Sequence, residues 1–292
     1  MEEDAIEFIK SNSRLDLKND YVFKRIFSKP ENSHELKELL EAILDIKINK
    51  IEVKNPEIPK NFSDEKQSTL DILAYLDDDT VVNIEMQLDN PYTIVNRNVT
   101  YLSKLVATDL RVKELYTTLR KFISITLLGK NILHRNSYHS IAHLKFEETD
   151  PEKYVDIGYN KEQELLTDRI EYHYIELPKF IKKNPGISKK LEQWLWLFVG
   201  EEDKVKMVSE ENKSVEKVVE DLDEMSGNEA ERWEAFKRRY AEWEYNYTIA
   251  QSIAEGKAER NKEIAKKMKE EKIDLNLIIK VTGLTKEEIE EL

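Results

Sequence analysis

Two acidic residues, Asp71 and Glu85, lie in strand-like segments joined by a short acidic turn. In the segment VVNIEMQL side chains alternate between faces. Val82, Ile84, Met86 and Leu88 then share an apolar face, and Val81, Asn83, Glu85 and Gln87 share the other. The upstream segment TLDILAYL carries Asp71, and Asp77, Asp78 and Asp79 supply the turn. If the two strands form a hairpin, Asp71 and Glu85 converge. Converging carboxylates suit a hard divalent cation, which takes oxygen ligands. Patterning alone also allows the plain reading, two solvated strand carboxylates.

Other constellations carry less chemistry. His139 and His143 are four apart, a spacing that binds zinc on a helix, but no intervening acidic pattern or third ligand accompanies them. The chain has no glycine-rich phosphate loop and no nucleophile elbow. Trp194, Trp196 and Phe198 are expected to pack a helix onto the core. The stretch 257–272 interleaves seven lysines and arginines with glutamates, the signature of a solvated helix with i, i+4 pairs.

The elements that would hold these residues follow from periodicity. Asn19 and Asp20 can cap a short helix, YVFKRIF, which Pro30 helps to end. A second helix is predicted over 32–44, where Leu36, Leu39, Leu40, Ile43 and Leu44 fall at helical spacing. Strand-like INKIEVKN, STLDILAYL and TVVNIEMQL come next. An amphipathic helix is predicted over 92–119, followed by a buried strand in KFISITLLG. A long helix between strands implies a crossover onto a mixed sheet. Residues 131–170 give no clear pattern. RIEYHYIEL reads as a further strand ended by Pro178, and after KKNPG the pattern is helical almost to the end. The expected organisation is an α/β domain over 1–185 and a helical C-terminal region over 186–292.

Composition sets bounds. The 292 residues are ample for a core, and there is no cysteine, which excludes disulfides, thiolate metal sites and cysteine nucleophiles. A formal net charge of −13 argues against nonspecific coating of nucleic acid, but it is compatible with a locally basic groove. The acidic start MEEDAIEF is no secretory signal, and the longest apolar cluster, 194–199, is too short to span a membrane. The expectation is a cytoplasmic protein with no membrane partner.

The order helix, three strands, helix, strand, with Asp on the second strand and Glu-x-polar on the third, resembles the PD-(D/E)xK nuclease core. Several stretches are similar to the Rpn group within that superfamily, the recombination-promoting nucleases also described as transposases. They are NDYVFKRIF, IEVKNPEIPK, LDILAYLDDDTVVNIEMQ, RNVTYLSKL and EIAKKMKEEKIDLNLIIKVTGLTKEEIEEL, and the resemblance runs from Leu17 to Leu292. It implies a restriction-endonuclease-like mixed sheet flanked by helices. It also implies a metal-dependent DNA endonuclease acting in recombination, mobile-element biology or phage defence. Asp71 and Glu85 then match the Mg²⁺ (or Mn²⁺) ligands, and Gln87 stands where many members have lysine. An amide can orient water but cannot supply positive charge. Arg97 and Tyr101, four apart on the following helix, share a face and could meet a phosphate. Lys24 and Asp20 on the first helix are further candidates for lining the cleft. Two rivals stay open: a catalytically degenerate DNA-binding or assembly protein, favoured by the absent lysine, and a transposase performing strand transfer, which needs the same metal chemistry. The C-terminal helices carry an apolar stripe through Trp243, Tyr247, Ile249, Ile253, Ile264 and Met268. Such a stripe must be buried, in a homodimer or against the chain's own domain.

Overall fold

The computed structural model describes residues 2–11, 13–54, 57–58, 68–77, 79–88, 93–109, 115, 118–146 and 165–292. It forms two compact units, 1–238 and 239–292. After α1 (Glu2–Lys10) comes α2 (Asp20–Phe27), whose N-cap Asn19 accepts the backbone N–H groups of Tyr21 and Val22. This satisfies donors that the first helical turn leaves without partners. A 3₁₀ turn over Pro30–Asn32 leads into α3 (Ser33–Leu44), which Asp45 ends in the left-handed region at φ 54°.

Then follow β1 (Ile51–Lys54), the short pair β2 (Glu57–Ile58) and β3 (Ser68–Thr69), β4 (Ile72–Leu76) and β5 (Val81–Gln87). Helix α4 (Ile94–Asp109) precedes β6 (Phe122–Leu128), β7 (His139–His143) and β8 (Ile170–Glu176). Among the described residues six of these strands form one sheet in the order β1-β4-β5-β6-β8-β7, and β2 and β3 pair separately. β5, β6 and β8 are parallel, while β1, β4 and β7 run antiparallel to their neighbours. The sheet is mixed, as expected, and α4 makes the crossover that parallel β5 and β6 require. The helix predicted over 92–119 is described over Ile94–Asp109; position 92 and positions 110–114 and 116–117 lie outside the described residues.

Alternation places Ile72, Ala74, Leu76, Val82, Ile84 and Met86 on one face, with Ile123, Ile125, Leu127 and Ile175 beside them. Helices α2 and α3 cover this face, together with α5 (Leu177–Lys183), α6 (Lys190–Val199), α7 (Glu202–Glu211) and α8 (Lys213–Ser226). Trp194, Trp196 and Phe198 of α6 are buried in that core, where Phe180 meets Trp196 at 4.8 Å between ring centroids. This is their expected role. A division at 185/186 would cut through this core, whereas the compact units divide at 238/239. The physical reason is apolar burial: α6 and α8 have no other face against which to remove Trp194, Val215 and Leu222 from water.

α9 (Glu229–Glu270) begins in the first unit, where Arg232 donates to the carbonyls of Phe8, Ser13 and Ser226. The second unit comprises the rest of α9 with α10 (Leu275–Thr282) and α11 (Lys286–Glu290). Its own small core is Ala265, Ile278 and Ile289. Gly283 ends α10 at φ 70°, and Thr285 and Glu288 close a capping box at the start of α11. Among the described residues no helix is long and apolar enough to cross a membrane.

Candidate active site

The site is built on the β4–β5 hairpin. Leu76 N–H donates to the Thr80 carbonyl at 2.8 Å, and Asp79 takes a positive φ of 63°, a conformation Asp tolerates better than most residues. Asp77 fixes the turn from outside by accepting the Asn49 side-chain amide at 2.6 Å. Asp78 lies outside the described residues. The turn sets the register: Ile72 stands opposite Ile84, so the position of Asp71 faces that of Glu85. Asp71 itself lies in a bend just before β4 rather than within the strand.

The two carboxylates meet through each other's backbones. Asp71 N–H donates to Glu85 Oε1 at 3.3 Å, and Met86 N–H donates to Asp71 Oδ2 at 2.8 Å. Glu85 is 3 % exposed, while Asp71 is partly buried. Strand alternation suggests a solvated face for Asn83, Glu85 and Gln87, yet α4 lies over it. Ile94, Asn98, Leu102 and Leu105 are its buried face, and Asn98 donates to Thr126 Oγ1 at 2.7 Å, tying the helix to β6. Gly129 closes the end of the site. Its N–H donates to the Gln87 carbonyl at 2.9 Å, and a Cβ there would stand 2.9 Å from the Leu88 backbone.

Arg97 projects from α4 onto the carboxylate end of β5. Its Nη2 donates to Gln87 Oε1 and lies 3.6 Å from Glu85 Oε2, and its guanidinium sits 5.9 Å from the Tyr101 ring centroid. The expected Arg97–Tyr101 face is therefore turned toward Glu85. Burial holds the Glu85 carboxyl well above its ordinary value, the charge of Asp71 adds to this, and Arg97 opposes it. Asp71 is raised for the same first reason, with the Met86 N–H opposing, Asp20 adding, and Arg97 and Lys24 opposing. Burial also raises the Tyr101 hydroxyl. Lys24 and Asp20 thus stand close enough for their charges to act on Asp71, although Asp20 also accepts Arg238 Nε at 2.6 Å.

The donor set fits a hard divalent cation. Asp71 and Glu85 each accept a backbone N–H from the other's side of the hairpin, burial opposes negative charge on both, and Arg97 lies 3.6 Å from Glu85 Oε2. Among the described residues no group of three or more acidic, His or Cys side chains is arranged for a metal. Asp71 and Glu85 would supply two ligands and leave the other positions to water and phosphate, the usual manner of Mg²⁺.

His139 and His143 lie on β7, a strand and not a helix, with His139 Nε2 2.9 Å from His173 Nδ1 and His143 Nδ1 4.0 Å from Glu171 Oε2. His173 also bonds Glu171 at 2.5 Å. Sequence patterning missed this chain because its members are 34 residues apart. It lies on the opposite sheet face from Glu85, since His173 pairs with Ile125 and Ile125 with Ile84.

A family model described as PD-(D/E)XK nuclease family transposase matches residues 17–252. Comparison with curated proteins and with solved structures gives no match.

Proposed function

The chain belongs to the PD-(D/E)XK nuclease transposase family, and on that premise we propose that it is a metal-dependent DNA endonuclease. The observation that carries the reading is the Asp71–Glu85 pair, two acids joined through backbone hydrogen bonds and held above their ordinary pKa values by burial. Such perturbed, coupled acids are common at functional sites.

Asp71 and Glu85 would hold Mg²⁺ or Mn²⁺. When bound, the cation polarises the phosphate and lowers the pKa of a coordinated water. Arg97 meets a phosphate oxygen of the DNA through its guanidinium, which matches that geometry. Tyr101 donates a hydrogen bond to the same backbone, and Lys24 adds positive charge on the Asp71 side. Gln87 ends the strand at the place from which an amide orients a neighbour. The chemistry is assigned to the part up to residue 185. Self-association is assigned to the C-terminal part of the helical region, through the exposed Trp243, Tyr247 and Ile253 of α9. A two-fold dimer would present two sites to the two strands of a duplex.

The test is supercoiled plasmid incubated with the protein and Mg²⁺ or Mn²⁺, beside Asp71→Ala and Glu85→Gln. Nicked or linear product from the wild type alone supports the reading. Joined rather than free ends would identify strand transfer, and no product with intact DNA binding would identify a degenerate nuclease fold.

A further inference from the structure

We infer that Gln87 acts through Arg97: the strand amide is a positioning residue that holds a guanidinium from α4 at the carboxylate pair, and that guanidinium binds the scissile phosphate. The inference rests on the nuclease reading and assigns roles within its site.

A site that gathers two carboxylates and a phosphodiester needs positive charge from the protein as well as from a cation. β5 supplies none, because its site-facing residues are Val81, Asn83, Glu85 and Gln87. Arg97 opposes the charge of both Glu85 and Asp71, and Lys24 acts on Asp71. Arg97 is held by its neighbours. Its helix is anchored through Asn98 and Leu102, its guanidinium faces Tyr101, and its Nη2 donates to Gln87 Oε1.

Two simpler accounts fit less well. If Arg97 were only the counter-ion of Glu85, a close, two-pronged ion pair would be expected. Instead Glu85 Oε2 lies 3.6 Å away while the closer bond goes to the neutral amide. If Gln87 held a water through its carbonyl oxygen, that oxygen would have to face the cleft, but it accepts Arg97. Arg97 remains about one-third exposed, and among the described residues its Nη1 makes no hydrogen bond. That leaves donors for a phosphate, which a planar fork binds with defined geometry.

Plasmid cleavage and duplex binding test this with Arg97→Gln, Gln87→Ala, both together, and Arg97→Gln with Gln87→Lys. Arg97→Gln should slow cleavage by roughly a hundredfold, the scale for losing one preorganised charge-stabilising donor. The Gln87→Ala, Arg97→Gln double variant should be no slower than Arg97→Gln alone, because residues that act as a unit are not additive. Moving the charge onto the strand with Gln87→Lys should recover at least about tenfold of the Arg97→Gln loss, restoring most of that donor. Losses that multiply in the double variant would overturn the inference, as would no recovery by Gln87→Lys. Arg97→Lys keeps the charge without the fork and guards against a folding artefact. It should fall between wild type and Arg97→Gln.

Binding separates this inference from the nuclease reading. In an Asp71→Ala background, Arg97→Gln and Gln87→Ala should each lower the salt dependence of duplex affinity by about one counterion, and Gln87→Lys should restore it. A wild type that cuts nothing with any divalent cation removes the nuclease reading, while this salt dependence still judges the Gln87–Arg97 unit. An unchanged salt dependence overturns it.

Discussion

Replacing Glu85 by Gln keeps the shape of a buried side chain and removes its charge. Burial and Asp71 hold the folded carboxyl up to about 8, against an ordinary value of 4.5. A raised acid stabilises the fold fully below its unfolded pKa, and that contribution is lost as pH rises toward the folded value. Between the two values the unfolded chain ionises and the folded one does not. At about 1.4 kcal/mol per pH unit, the metal-free protein should be about 3 kcal/mol less stable at pH 7 than at pH 4.5 through this group alone. Glu85→Gln escapes that loss. For a unit of this size the difference is roughly 6–12 °C in Tm. The assay is thermal unfolding in EDTA at pH 5, 7 and 8.5, with the variant's advantage growing with pH. Adding Mn²⁺ at pH 8 should stabilise the wild type and leave Glu85→Gln nearly unmoved, since the variant lacks one ligand. If the two proteins melt in parallel across that pH range, Glu85 is not a buried acid with a raised pKa.

Three further outcomes follow from the same geometry. Asp71→Ala and Asp71→Asn should both abolish plasmid cleavage, but Asp71→Asn keeps an acceptor for the Met86 N–H that lies 2.8 Å from Asp71 Oδ2. Urea unfolding should therefore find Asp71→Ala weaker than Asp71→Asn by about 1–3 kcal/mol, the penalty for an unpaired buried donor. Gly129→Ala places a Cβ against the Leu88 backbone; it should lower stability by about 1–3 kcal/mol and slow cleavage by shifting the end of β5, as melting and plasmid assays will read. Sedimentation of the full chain at micromolar concentration should find a dimer that Trp243→Glu dissociates, whereas a wild type that stays monomeric with and without DNA rules the dimer out.

The carboxylate pair was legible because two signals agreed. Period-two alternation assigned Glu85 a face, and the acidic turn fixed the register that puts Asp71 opposite it. The covering of that face was not legible. Asn83, Glu85 and Gln87 look like a solvated edge in sequence, and the packing of α4 through Asn98 and Leu102 buries Asn83 and Glu85 and leaves Gln87 partly exposed. β7 escaped because HSIAH is a largely exposed strand with polar ends, and residues at i and i+4 share a face in a strand as well as in a helix. The sequence places a domain division at 185/186, yet the Pro185 carbonyl accepts Trp196 Nε1 at 3.1 Å at the margin of the same core. Turn residues mark a change of direction, and burial of the next helix decides whether the domain also ends. The Gln87–Arg97 bond joins residues ten apart on different elements. The helical spacing of Arg97 and Tyr101 hinted at a shared face but not at its partner.

The same arrangement that weakens the metal-free fold above neutral pH favours a cation. Ionising Asp71 and Glu85 together is opposed by burial and by each other, with Arg97 offsetting part of the charge. A divalent ion that binds the ionised pair in the folded chain and finds no such pair in the unfolded one stabilises the fold by its binding free energy. Proton release and cation binding are then coupled, so affinity should rise with pH until both acids are ionised. Arg97 sharpens this balance. While it lies beside Glu85 it competes with the incoming cation; held on Gln87, it keeps its distance from the carboxylate and stays available to phosphate. A shorter neutral residue at position 87 would let the guanidinium move onto Glu85 and close a tight ion pair. Gln87→Ala should therefore weaken Mn²⁺ binding even without DNA, by roughly tenfold, about the 1.4 kcal/mol expected of one additional charge-assisted contact to displace. Isothermal titration of the metal-free protein measures this, and an unchanged Mn²⁺ affinity in Gln87→Ala would contradict it.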